Sequence, residues 1–269
     1  MHGRVLVAAG SDSGGGAGIQ ADIKTITAFG VYAATAITAV TAQNTLGVAA
    51  LHLLPADLIR LQMTIVLDDI GADAIKIGML GNAEAIEAVC EVLSNHPLPI
   101  VLDPVLVSTR GSPLLAQGAL DVLRRRLLPM ATVVTPNVPE AEALIGEPIK
   151  DIAGMRTAAA AILTLGARAV LLKGAHLPGD MIVDLLATAD GIEAFAAPRI
   201  ASRHTHGTGC TLASAVAAGL AQGRDLRSAV QRGRAYVRAA IEGAPCLGAG
   251  NGPLNHAVTV DPARLGRLG

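Results

Sequence analysis

Six short apolar runs punctuate the chain: RVLVAA (4–9), YAATAITAV (32–40), DAIKIGM (73–79), PIVLD (99–103), ATVVTP (131–136) and RAVLLKG (168–174). Each is too short for a buried helix and apolar on both faces, which predicts strands of a covered parallel sheet. Between most of them apolar positions recur at helical spacing, in AGIQADIKTITAFG, ADLIRLQMTIVLDDI, AEAIEAVCEVLSNH, LLAQGALDVLRRRLL and MRTAAAAILTLG. Strand then helix, repeated, predicts an α/β fold with helices on both faces of the sheet. DMIVDLLATADGIEAFAAP breaks this rhythm with two β-like runs about an Ala-Asp-Gly turn, so a hairpin is expected at 180–197, at a sheet edge. Helices at 207–222 and 225–242 close the pattern, and GAGNGP at 248–253 reads as a surface loop.

The 269 residues suit one large α/β domain better than two small ones, and 1–269 is taken as a single domain. A net charge of -1 and 1% aromatic residues without Trp offer neither a basic footprint nor stacking platforms, which argues against nucleic acid as a partner. No apolar run reaches the roughly 18 to 20 residues of a membrane span, and the opening MHGRVLVAAG reads as a strand rather than a signal core. Cys90, Cys210 and Cys246 are odd in number and lack CxxC spacing, arguing against a disulfide framework or zinc site and for a cytoplasmic setting.

The chemistry concentrates in RHTHGTGCTLASAVAAGLAQG (203–223), a glycine-rich turn running into a small-residue helix. The free amides of a helix N-terminus, with roughly half a positive charge, seat a phosphate or a developing anion. Gly207 and Gly209 would let that backbone approach a phosphoryl group, and the helix end would lower the pKa of Cys210 toward a reactive thiolate. The competing reading makes Cys210 a small buried apolar residue behind an ordinary turn.

In open α/β sheets, ligands bind beyond the carboxyl ends of the strands. Those positions are polar here: GSDSGGGAG (10–18), TAQNT (41–45), Asp103, PNVPE (136–140) and Lys173. The glycine-rich 10–18 segment has neither Walker A nor GxGxxG spacing, and reads as a flexible strand-to-helix loop. Gln43 carries an amide donor beside an acceptor, complementary to the edge of an aminopyrimidine.

Taken together, GSDSGGGAGIQADIKT, TAQNT, KIGML, DPV, TPNVPEA, LLKGAH and THGTGCTLASA resemble, in order and spacing, the hydroxymethylpyrimidine/phosphomethylpyrimidine kinases of thiamine biosynthesis. These belong to the ribokinase-like superfamily. The resemblance spans nearly the whole chain and implies a three-layer α/β/α sandwich with a mostly parallel sheet. It implies an ATP- and Mg²⁺-dependent enzyme that phosphorylates 4-amino-5-hydroxymethyl-2-methylpyrimidine and then its monophosphate.

By the same resemblance, Cys210 stands at the substrate hydroxymethyl group as base, and Gly10, Ala17, Asp22, Met79 and Val105 line the pyrimidine pocket with Gln43. Lys173, Asn137 and Thr208 are implied as nucleotide contacts, and Glu140 of the NxxE element, with Asp103, as the magnesium side. His204 and His206 are expected to be structural or near the nucleotide. A homodimer is the superfamily expectation. After DPV the chain reads LVSTRGS where the family usually has MVAKSGD, so the basic residue moves to Arg110. A pyridoxal kinase, a non-catalytic pyrimidine sensor and a nicotinamide-dependent oxidoreductase are the rival readings. Against the last, Leu212 fills the slot for the third small residue of a dinucleotide turn.

Overall fold

The computed structural model describes residues 1–107 and 114–260; Arg110 and the rest of the segment from Ser108 to Pro113 lie outside them. In chain order the elements are β1 (Arg4–Asp12), α1 (Gly18–Ala28), β2 (Tyr32–Asn44), β3 (Gly47–Leu53), α2 (Ala56–Asp69), β4 (Ala74–Ile77), α3 (Ala83–Leu93), β5 (Ile100–Leu102) and α4 (Ala119–Val122). They continue with β6 (Val133–Val134), α5 (Val138–Ile145), α6 (Ile152–Thr164), β7 (Val170–Leu172), β8 (Met181–Thr188), β9 (Gly191–Pro198), α7 (Thr208–Ala221) and α8 (Leu226–Glu242). All six expected strands are present, as is the 180–197 hairpin, now β8 and β9.

The strands form one sheet in the order β3-β2-β1-β4-β5-β6-β7-β8-β9. The six from β2 to β7 run parallel, whereas β3, β8 and β9 pair antiparallel. Period-two alternation sends successive residues to opposite faces. Leu6, Ile75, Ile77, Leu102, Val134 and Leu172 pack with Ile59, Ile86, Leu144 and Met155 on one side. Val5, Val7, Val101, Val133 and Leu171 pack with Ile26, Leu212, Val216 and Val230 on the other. The result is the expected three-layer α/β/α sandwich.

Two elements depart from the sequence reading. β3 adds an antiparallel edge strand, hidden in GVAALHL because most of its residues are exposed and its polarity does not alternate. The helix expected over LLAQGALDVLRRRLL begins only at Ala119, after Gly118 in a left-handed conformation (φ +82°). It then widens into a π-helical turn at Leu123–Leu127 and tightens into a 3₁₀ turn at Leu128–Met130, where Pro129 lacks an amide to continue the ladder.

α7, TGCTLASAVAAGLA, is buried along most of its length and carries mainly small side chains. A methyl group on Gly219 would come within 2.7 Å of the Ala229 Cβ, and one on Gly233 of α8 within 3.3 Å of Ala215. Close packing of this kind follows from the Ala and Gly content, and it fixes where the first turn of α7 stands over the sheet.

Candidate active site

The polar strand ends converge on the rim at the N-terminus of α7. Gly207 is the residue before the helix, at φ +84°, and a side chain there would strike the Gly16 carbonyl. Only glycine fits both demands. The Gly207 carbonyl accepts the Thr211 amide at 2.9 Å, opening the helix. The Gly209 and Cys210 amides stand in the first turn, where helix geometry supplies no carbonyl partner. The Thr208 amide, by contrast, donates to the Thr205 carbonyl at 3.2 Å, as does its hydroxyl at 2.7 Å. Thr208 therefore shapes the turn, and the Gly209 and Cys210 amides follow it in the first turn of the helix.

Lys173, just beyond β7, donates to Asp103 Oδ1 at 3.0 Å and stands 3.9 Å from Glu140 Oε2. A methyl on Gly209 would lie 3.2 Å from Lys173 Nζ and 3.4 Å from Asp103 Oδ2, so cation, carboxylates and helix turn form one cluster. Asp103 also accepts the Thr135 hydroxyl at 3.1 Å. Asn137 and Glu140 form a reciprocal capping box on α5: Asn137 accepts the Glu140 amide at 2.9 Å, and Glu140 Oε2 accepts the Asn137 amide at 2.7 Å. Glu140 thus caps α5 with the same carboxylate oxygen that faces Lys173. Burial opposes the charge on Lys173, but Asp103 and Glu140 outweigh it and hold the ammonium above its ordinary pKa.

Burial pushes the Glu140 carboxyl up to about 7, despite the attraction of Lys173. A carboxyl whose folded pKa exceeds its unfolded value of 4.5 binds its proton more tightly when folded. Its contribution to stability is full at low pH and declines as pH rises toward about 7, by up to about 1.4 kcal/mol per unit. Glu140→Gln keeps the cap but has no proton to lose, so its urea midpoint is expected to lose this slope relative to the parent. Parallel pH profiles for the two proteins would refute it.

Cys210 sits as expected in the first turn of α7, but not as a thiolate. Burial, with Asp22 and Asp103 nearby, pushes its pKa up to about 12, against the pull of Lys76 and the Gly18 amide. Desolvation outweighs the helix end although the residue as a whole is only half-buried. Beneath it, Lys76 Nζ meets Asp22 Oδ2 at 2.9 Å with both side chains fully buried, and Asp22 Oδ1 accepts the Ser214 hydroxyl at 2.7 Å. Asp22, expected in the substrate pocket, is fully buried here beside Cys210, with Lys76 and Ser214 as its partners. Lys76 escaped notice in the sequence, although a lysine between Ile75 and Ile77 in the buried run AIKI was a signal. Burial alone would discharge Lys76; Asp22 more than compensates and keeps it protonated.

The other expected pocket residues are spread along the same rim. Gly10 and Met79 touch at the switch point between β1 and β4, where a methyl on Gly10 would come within 2.6 Å of the Met79 methyl carbon. Ala17 caps the start of α1, with its Cα 3.2 Å from where a Gly207 side chain would begin. Val105 is half-buried and its amide donates to the Asp103 carbonyl at 2.9 Å. Gln43 lies in the wall of a cavity of about 550 Å³ shared with Ser13, Asn44, Leu46 and Val48. His206 reaches Asp12 Oδ2 at 2.9 Å and Gln43 Nε2 at 3.3 Å, whereas His204 is buried. The GAGNGP segment is not a free surface loop: the Asn251 amide donates to the Thr45 carbonyl at 3.1 Å, and the His206 amide to the Gly252 carbonyl at 3.1 Å. Among the described residues no helix is long and apolar enough to cross a membrane.

A doubly covered sheet with a glycine-led helix N-terminus, a half-buried lysine and paired carboxylates on one rim fits a small-molecule phosphotransferase of the ribokinase-like class. The phosphomethylpyrimidine kinase family model matches residues 12–255, and the chain belongs to that family. It is 52% identical over 252 residues to a hydroxymethylpyrimidine/phosphomethylpyrimidine kinase of Streptomyces coelicolor, covering 94% of this chain and 93% of that one. It is 49% identical over 264 residues to the thiamine biosynthesis bifunctional protein ThiED of Geobacter sulfurreducens, covering 98% of this chain but only 54% of that longer protein. Among solved structures, an ADP complex of Bacillus subtilis pyridoxal kinase superposes with a TM-score of 0.88 at 35% identity, covering 98% of this chain and 100% of that one. The higher identity to the pyrimidine kinases favours that reading over pyridoxal kinase.

Proposed function

We propose that this chain transfers a phosphoryl group from ATP to 4-amino-5-hydroxymethyl-2-methylpyrimidine and then to the resulting monophosphate. The observation that carries the reading is the convergence of Lys173, Asp103 and Glu140 on Gly209 in the first turn of α7. Phosphoryl transfer passes through a loose transition state, so catalysis rests on positioning and on charge placed around the moving group. Here the Gly209 and Cys210 amides face the transferring oxygens, and Lys173 supplies the cation. Asp103 and Glu140 are hard oxygen donors at the same rim, the chemistry that suits Mg²⁺. Among the described residues no group of three or more His, Cys, Asp or Glu is assembled for a metal, so Mg²⁺ would draw its other ligands from phosphate and water. When bound, it screens phosphate charge. Gln43 reads the aminopyrimidine edge, and Gly10, Met79, Ala17 and Val105 enclose the ring.

Cys210 works in this scheme as a neutral thiol that hydrogen-bonds the incoming alcohol, not as a preformed base. The second transfer has an anionic phosphate acceptor and needs no such partner. Cys210→Ala is therefore expected to slow the first step about tenfold, the worth of one hydrogen bond, and to leave the second within about twofold. ATP consumption with the aminopyrimidine, its monophosphate and pyridoxal, followed by product mass, tests both claims. Pyridoxal turnover without pyrimidine turnover overturns the substrate assignment; equal losses in the two steps overturn the role of Cys210. We read 1–269 as one cytoplasmic catalytic domain that works as a homodimer, supported by the single continuous sheet and by the exposed apolar residues Leu58, Leu61 and Ile65 on α2.

A further inference from the structure

Asp12 ends β1 and gathers the glycine-rich loop. Its Oδ1 accepts the Gly14 amide at 2.8 Å; its Oδ2 accepts the amides of Gly16 at 3.1 Å and Ala17 at 2.8 Å and faces His206 Nε2 at 2.9 Å. Burial works against its charge, yet His206 and the loop amides hold its carboxyl below the ordinary value. An ionised acceptor at that distance keeps the imidazole proton on Nε2, which then donates to Asp12. The Gln43 amide nitrogen, 3.3 Å from the same Nε2, would set donor against donor. Turning the amide over places its oxygen where it shares that one proton as the longer branch of a three-centre bond, Asp12 taking the shorter at 2.9 Å, and turns its NH₂ toward the cavity.

We propose that the Asp12–His206 pair is a positioning device that fixes the orientation of the Gln43 amide, so that the pocket offers an N–H donor to a ring nitrogen of the pyrimidine. The Asp12 and His206 side chains are only 3% and 13% exposed, so water does not replace the contact readily. The inference rests on the reading of Gln43 as the substrate-facing amide.

The test compares the aminopyrimidine with an aminopyridine analogue that has CH in place of the ring nitrogen beside the amino-bearing carbon. The parent is expected to prefer the pyrimidine by about tenfold or more in kcat/KM. His206→Leu is expected to raise the pyrimidine KM about tenfold and erase the preference, with the KM for ATP unchanged. His206→Gln, whose amide reaches the place of Nε2–H, is expected to restore both. Parallel losses for the two acceptors overturn the proposal. An unchanged preference in Gln43→Leu overturns instead the reading of Gln43 itself. Should His206→Leu fail to fold, imidazole nitrogen NMR of the parent above neutral pH decides: a protonated Nε2 is expected, and a bare Nε2 overturns it.

Discussion

Replacing Lys76 by Met is expected to destabilise the protein by about 3 to 5 kcal/mol, seen as a lower urea midpoint. The side chain is fully buried, and its ammonium is the partner of Asp22 Oδ2 at 2.9 Å. Methionine fills much of the same volume, so the loss comes from stranding a carboxylate in the core rather than from a cavity. With the ammonium gone, burial drives the Asp22 pKa upward, and the variant is expected to regain stability as the pH falls. Adding Asp22→Asn removes the stranded charge while leaving Ser214 an acceptor in place of the one it now meets at 2.7 Å. The double variant is expected to recover most of the loss. If both proteins unfold at the same urea concentration, the pair is not what holds this seam.

Lys173→Met is expected to lower kcat/KM for ATP by about 10²- to 10³-fold, the scale seen when one donor to a developing anion is removed. Its ammonium stands 3.0 Å from Asp103 and next to the Gly209 turn, so its loss removes positive charge where phosphate charge would gather. The same change leaves Asp103 and Glu140 without their shared cation, raising Glu140 further. A steeper acid-favouring stability profile is therefore expected alongside the kinetic loss. The pyrimidine KM is expected to change little, because Lys173 is held by Asp103 and Glu140, whereas Gln43 meets His206. A variant that retains parental kcat/KM would remove Lys173 from the nucleotide site.

The strands and the closing helices were legible because each obeys one period. β5 and β7 are continuous apolar runs, β1 holds one from Val5 to Ala9, β4 is broken only by Lys76, and α8 carries a clear apolar stripe. β3 was not, since an edge strand with most of its side chains in water has no hydrophobic alternation to read. At the site, the rim residues Asp103, Glu140, Lys173 and Gly209 follow from strand-end logic. Their hydrogen-bond partners do not: Asp22 to Lys76 spans 54 positions and Asp12 to His206 spans 194. Nor does spacing reveal desolvation, which is why the helix end suggested an acidic thiol at Cys210 and the folded surroundings keep it a weak acid.

The Ala-Gly character of α7 bears on how such an enzyme changes its vitamin. Where Gly219 meets Ala229, and where Gly233 meets Ala215, Leu212 and Val216, one added methyl would already crowd its neighbour, so this rod is held close against α8. Substitutions are therefore expected to be tolerated less along this helix than in the exposed β2–β3 ribbon. A scaffold superposing at a TM-score of 0.88 with a protein named for pyridoxal fits that division of labour, in which the transfer apparatus is inherited and the alcohol it serves is renegotiated at the margin.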